Sequence, residues 1–296
     1  MIFYKKAFVE MFTYFDDLLH SDDSSTIQVR KKHIGENIEV GLKYTKTFLT
    51  FVTAGGCVIN CYDLYETNFT SPMRFLIPGI PQSSIFFYPC NIIYQICFYF
   101  AILHIVMGVD CVIMITICYF RGENMAIVEL IGQLDGSDCD QEYKKVLKMV
   151  YEIHQIVSKN IKDLLGSYWH IYFYKLITII MYLCFVFFIF QSSHTNIMIA
   201  LLCTVIVMGE IFIICFFGQL LKSSAEDISE ALYMTKWYEM DVKDQKNALL
   251  LLMRFQRPVK IEAFGFGVIS IYTFVQVSVE FDKDPMFLTP FCPTDC

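Results

Sequence analysis

The chain has 296 residues, 55% of them hydrophobic, with 28 Phe, 18 Tyr and a formal net charge of −7. Its mean hydropathy of +0.48 excludes an ordinary soluble domain. The net charge says little about partners, because basic and acidic residues share the same stretches, and nothing in the sequence resembles a nucleic-acid footprint.

Those stretches are informative. All but Arg74 and Lys283 of the 23 Lys and Arg residues fall in three blocks, 5–46, 121–175 and 222–260. Long, nearly uncharged apolar runs separate them. Basic loops gathered on one face are the mark of a multi-span membrane protein oriented by its positive cytoplasmic side. The pattern predicts an all-α membrane protein: one helical bundle of about five transmembrane helices, with long cytoplasmic helical extensions. The N-terminus is then cytoplasmic and the C-terminus outside.

In chain order, residues 1–46 are predicted cytoplasmic. Glu10 and the pair Asp16–Asp17 interrupt any signal-peptide core, so the opening reads as a short amphipathic surface helix without a cleavable leader. The first span is 47–65. Its uncharged core, 47–62, covers only about 24 Å as a helix, against a hydrocarbon core of about 30 Å. A start near Val40, with Lys43 and Lys46 snorkelling, supplies the difference. Gly55–Gly56 marks close packing on a neighbour or a kink.

Residues 66–90, punctuated by Pro72, Pro78, Pro81 and Pro89, read as an extracellular loop. Asn68 begins a glycosylation sequon on that side. The second span, 91–120, carries His104 and Asp110. A central acid costs about 2.5–3.5 kcal/mol on insertion scales, so Asp110 faces protein or water. The imidazole of His104 is expected packed and hydrogen-bonded.

Residues 121–168 form a cytoplasmic connection. Val146, Met149, Val150, Ile153 and Ile156 define its apolar face, and this helix can continue unbroken into the third span, 169–190. A short polar turn leads to the fourth span, 197–221, with Glu210 as its acid. The next block, 222–260, is cytoplasmic, with Asp241 as the N-cap of a helix ended by Pro258. The fifth span is 261–279, followed by a divergent tail, 280–296. Twelve cysteines match no metal spacing, and most of them, Cys57, Cys61 and Cys97 included, fall within apolar runs and read as buried, small apolar side chains. There is no nucleophile–base constellation, phosphate loop or metal box, so neither an enzyme nor a cofactor is expected.

One stretch is more specific. Gly218, Ser223–Ser224, the pair Trp237–Tyr238, the run Leu249–Leu252 and then Gln256–Arg257–Pro258 follow one another in this order. Together with the Pro-rich loop entering Tyr94–Gln95 and the acid Asp110, this resembles the insect odorant receptor family. The resemblance implies a seven-span, odorant-gated cation channel with a cytoplasmic N-terminus, here represented by spans three to seven. Two spans fewer and an acidic tail at Glu280, Asp282 and Asp284 point to a partial gene model, a splice variant or a degraded copy.

The resemblance further implies a small volatile odorant as ligand, membrane lipid as surroundings, and an olfactory co-receptor subunit in a hetero-oligomer such as a tetramer. A volatile ligand offers few hydrogen bonds, so an apolar, aromatic lining is needed. Val52, Gly56, Tyr94, Phe98, Ile197 and Thr204 are the candidate outer-half positions, each also readable as plain packing. Trp237, Tyr238, Leu250, Met253, Arg257 and Pro258 match the family's inner anchoring region and are the candidate subunit interface. A G-protein-coupled or gustatory chemoreceptor, and a small transporter using Asp110 and Glu210, are the competing classes.

Overall fold

A computed structural model describes residues 5–21, 24–66, 77, 80–81, 83–136, 140–192 and 197–257. The described residues form six α-helices: α1 (Lys5–His20), α2 (Ser25–Glu66), α3 (Phe87–Gly132), α4 (Asp140–Ser192), α5 (Ile197–Met234) and α6 (Val242–Phe255). Two short 3₁₀ turns, Gln133–Gly136 and Trp237–Glu239, connect them. The expected fifth span, the sequon at Asn68 and Pro258 lie outside the described residues.

The helices are longer than the apolar runs that announced them. α2 starts fifteen residues before Val40, and its buried stripe explains why. Arg30, Ile34, Asn37, Thr45, Phe48 and Val52 are buried at spacings of three, four, seven or eight, one face of a 3.6-residue helix. Its first half is polar, so hydropathy passes over it. α3 begins at Phe87, inside the expected loop, with Pro89 in its first turn, where the missing N–H costs nothing. α4 runs without a break through residues 168 and 169, as expected.

Two compact units are distinguished. One gathers Met1–Ile38, Ile117–Leu176 and Ile211–Cys296; the other gathers Glu39–Thr116 and Ile177–Glu210. In the first unit, α3 contributes Phe120, Ile127, Leu130 and Ile131, and α5 contributes Leu221, Ile228 and Leu232, all nearly inaccessible. Each such side chain contributes about 1.5–3 kcal/mol on burial. The buried seam of α4 is Tyr143, Leu147, Val150, Ile153, Val157, Ile161 and Leu164. This corrects the expected face: Val150 and Ile153 are on it, but Ile156 is exposed and Val146 and Met149 are only half-buried.

Among the described residues, two helical stretches are long and apolar enough to cross a membrane, Phe87–Gly132 and Thr204–Glu239. Asp110 and Glu210, the acids within them, are both buried. His104 departs from expectation. Its Nδ1–H donates to the Phe100 carbonyl at 2.7 Å, but the ring is exposed, because its helical position faces outward. Cys118 and Cys215 are buried thiols, whereas Cys57, Cys61 and Cys97 are exposed. The last three lie on outward faces of α2 and α3, where apolar character is compatible with lipid.

Candidate functional site

In the unit built from Glu39–Thr116 and Ile177–Glu210, α2 carries two adjacent residues without side chains. A Cβ on Gly55 would lie 2.8 Å from Ile206 Cδ1 of α5; one on Gly56 would lie 3.0 Å from Tyr99 Cε1 and 3.2 Å from its hydroxyl. The glycines therefore admit an aliphatic and an aromatic side chain against the α2 backbone, and the helix continues without a break through them. Asn60 anchors the next turn by donating from Nδ2 to the Gly56 carbonyl at 2.8 Å. Val52, one turn before Gly56, is fully buried.

The other expected ligand positions divide. Tyr94 and Phe98 stack on each other with ring centroids 6.0 Å apart; Tyr94 is exposed and Phe98 half-buried. Thr204 is half-buried. Ile197 opens α5, and its side chain lies outside the described set. Tyr99 and Ile206, the residues that meet the glycines, carried no signal in the sequence.

The other unit contains a buried polar network. Arg30 of α2 donates from Nε to Glu123 Oε2 at 2.9 Å and from Nη2 to Oε1 at 2.7 Å. The Tyr119 hydroxyl donates to Glu123 Oε1 at 2.8 Å, and Arg30 Nη2 also donates to the Tyr14 hydroxyl at 2.6 Å. Glu123 is wholly inaccessible. Arg30 is driven further towards its charged form: burial alone would lower its pKa, but the hydrogen bond and charge of Glu123 raise it more. Burial raises the Tyr14 hydroxyl, assisted by the charge of Glu123. Such a bidentate, desolvated pair ties α1, α2 and α3 together.

Gly122, beside it, lets the two long helices touch: a Cβ there would meet Ile34 Cα at 2.7 Å. On the far side of α3, Asn124 donates to the Ser224 hydroxyl of α5 at 3.1 Å, both residues being buried. His33 Nε2 hydrogen-bonds the Glu129 carboxylate and holds its pKa below the usual range.

α6 is fastened to α4 at both ends. Lys144 pairs with Asp244 at 2.9 Å. The Arg254 guanidinium lies over the Tyr151 ring at 4.9 Å and donates to its hydroxyl at 2.8 Å. The His154 and Phe255 rings are 4.4 Å apart; burial, then Arg254 and Lys162, push the His154 pKa down to about 4. Asp241 does precede α6, but its backbone carbonyl, not its carboxylate, receives Asp244 and Gln245 N–H groups at 2.9 Å.

The family model described as 7tm Odorant receptor matches residues 1–278. The chain belongs to the odorant receptor family. This is a family of multi-pass membrane receptors, not of enzymes. Among Drosophila melanogaster relatives, odorant receptor 2a is 33% identical over 29% of this chain and 22% of its own length. Odorant receptor 67c is 26% identical over 33% of this chain and 24% of its own. These matches thus span about a quarter or less of the relatives. The fold agrees with the insect olfactory receptor OR5 from Machilis hrabei in complex with eugenol: TM-score 0.68 at 11% identity, covering 91% of this chain and 72% of that one. A second structure of that receptor gives 0.63 at 14% identity, covering 85% and 68%.

Within this odorant receptor fold, Trp237 and Tyr238 form an edge-on aromatic pair in the 3₁₀ turn before α6. Tyr238, Leu250, Met253 and Arg257 are exposed; Trp237 is half-buried, its Nε1–H donating to the Tyr233 carbonyl at 3.2 Å.

Proposed function

We propose that this chain is a ligand-binding subunit of an odorant-gated cation channel, working with an olfactory co-receptor in a hetero-oligomer of the plasma membrane. The observation that carries the ligand reading is the glycine seam, where Tyr99 and Ile206 occupy the space two absent side chains leave on α2. Such a seam is sensitive to the size of what packs against it, which is how an apolar site discriminates ligands with few polar groups. Val52, Gly56, Tyr94, Phe98, Ile197 and Thr204 are the proposed ligand-facing positions, to which Tyr99 and Ile206 are added. The eugenol held by the Machilis receptor is consistent with a small, largely apolar molecule as occupant.

The exposed Tyr238, Leu250, Met253 and Arg257, with Trp237 and Pro258, are the proposed subunit contacts. Large apolar and aromatic side chains on an otherwise charged surface are common interface anchors. The N-terminus is assigned to the cytoplasm and the C-terminus to the exterior from the distribution of basic residues, and a glycan to Asn68 from its sequon on the outer side. An odorant opens the pore only if it binds the open arrangement more tightly than the closed one. Co-expression with the co-receptor, followed by patch recording across an odorant panel, tests the proposal. Odorant-evoked cation current that needs both chains supports it; silence with normal surface delivery overturns it.

A further inference from the structure

α1 has an apolar arc wider than the face it buries. Leu18 is buried and Phe15 half-buried, while Phe12 and Leu19, at 49% and 54% exposure, continue the same arc. The two are seven residues apart and therefore share a side of the helix, flanking Phe15. Glu10, Thr13 and Asp17 take the opposite side.

The height of this helix is fixed by its contacts. The Phe15 ring lies against Tyr119, tilted by 33° with centroids 3.6 Å apart, and meets Phe120 edge-on at 5.9 Å. Tyr119 and Phe120 are the last residues of the apolar run that Arg121 ends, at the inner end of the second span. The Tyr14–Arg30 hydrogen bond sets the rotation of α1 about its axis. Its remaining apolar side is thus presented beside the end of that apolar run.

We propose that α1 is an interfacial anchor whose Phe12–Leu19 side sits in the glycerol and upper acyl region of the cytoplasmic leaflet. An amphipathic helix held at that depth gains by burying its apolar side in lipid while its charged side stays wet. Asp16 and His20, paired at 3.3 Å on the flank, lie where headgroups and water begin. The proposal rests on the membrane reading of the family and is independent of the ligand.

The test uses the full chain in nanodiscs made with a phospholipid carrying a diazirine near its glycerol end. After illumination, adducts are mapped by mass spectrometry. Adducts on residues 12–19, alongside the exposed Ile93 and Ile102 towards the outer end of the span in α3, are expected. They should be lost in Phe12→Glu/Leu19→Glu while the α3 adducts remain. If α3 labels and α1 does not, the proposal is overturned. It is overturned equally if hydroxyl radicals in the aqueous phase oxidise Phe12, or if both reagents spare it, since protein then covers it. Odorant-evoked current failing in the parent chain, with α1 adducts present, would fault the ligand reading and leave this one standing.

Discussion

Gly122 of α3 presses so closely on Ile34 of α2 that a single added carbon would sit 2.7 Å from the Ile34 Cα and 3.0 Å from the His33 carbonyl oxygen. The obstacle is backbone, which cannot rotate aside as a side-chain tip can. Gly122→Ala should therefore destabilise the folded chain by the few kcal/mol typical of overpacking, about 1–3. Gly35→Ala, one residue from Ile34 but with nothing within 4 Å, should instead stabilise by about 0.5–1 kcal/mol through helix propensity. Thermal unfolding of detergent-solubilised protein, followed by size-exclusion fluorescence, would separate the two.

The Arg30–Glu123 pair makes a sharper forecast. Removing one partner leaves a buried charge without compensation, which costs about 3–5 kcal/mol. Glu123→Ala should thus abolish surface delivery. Replacing both at once, Arg30→Met with Glu123→Leu, should recover much of it, because well-packed apolar residues can substitute for a buried pair. A double mutant no better than Glu123→Ala would show that the Tyr14 and Tyr119 hydroxyls depend on the charges.

Acid should loosen the α4–α6 clasp. The His154 pKa is about 4 in the folded chain, below its ordinary 6.5. As pH falls between those values, the unfolded chain takes up the proton first, so stability drops with acid and is fully retained above about 6.5. His154→Leu should flatten the melting temperature across that window, measured from pH 7 to 5 in one buffer series.

Ligand preference should follow the seam. Tyr99→Ala beside Gly56 opens space and should shift responses towards bulkier odorants, whereas Gly56→Ala displaces the Tyr99 ring and should narrow the panel. Concentration–response curves from co-expressing cells would register both as changes in rank order at unchanged surface level.

Because Leu250 and Met253 are exposed at 61% and 58%, Leu250→Lys/Met253→Lys should leave the chain folded. Co-purification of the co-receptor should nevertheless be lost. Retained co-purification would move the interface elsewhere.

The sequence made the helices visible where they were greasy and hid them where they were not. The run 47–62 announced α2, but its buried stripe continues through Asn37 and Arg30, polar residues that packing, not hydropathy, places inside. Asp110 and Glu210 stood out because they interrupt apolar runs. Glu123, wholly inaccessible, did not, since it follows Arg121 in a basic block and resembles an ordinary loop charge. Gly55–Gly56 was legible as a close approach. What fills it was not: Tyr99 is one of 18 tyrosines, and only the fold distinguishes its face of α3 from that of Tyr94 and Phe98.

Arg30 and Glu123 are separated by 93 positions along the chain, and a ribosome adds roughly 5–20 residues each second. Arg30 must therefore wait on the order of 5–20 s before its counter-charge is even synthesised. During that interval the Tyr14 hydroxyl, already synthesised, can accept from the guanidinium, but no carboxylate of the pair is there to balance its charge. The spacing of two residues thus sets an interval in synthesis during which a charge destined for burial stands without its counter-ion.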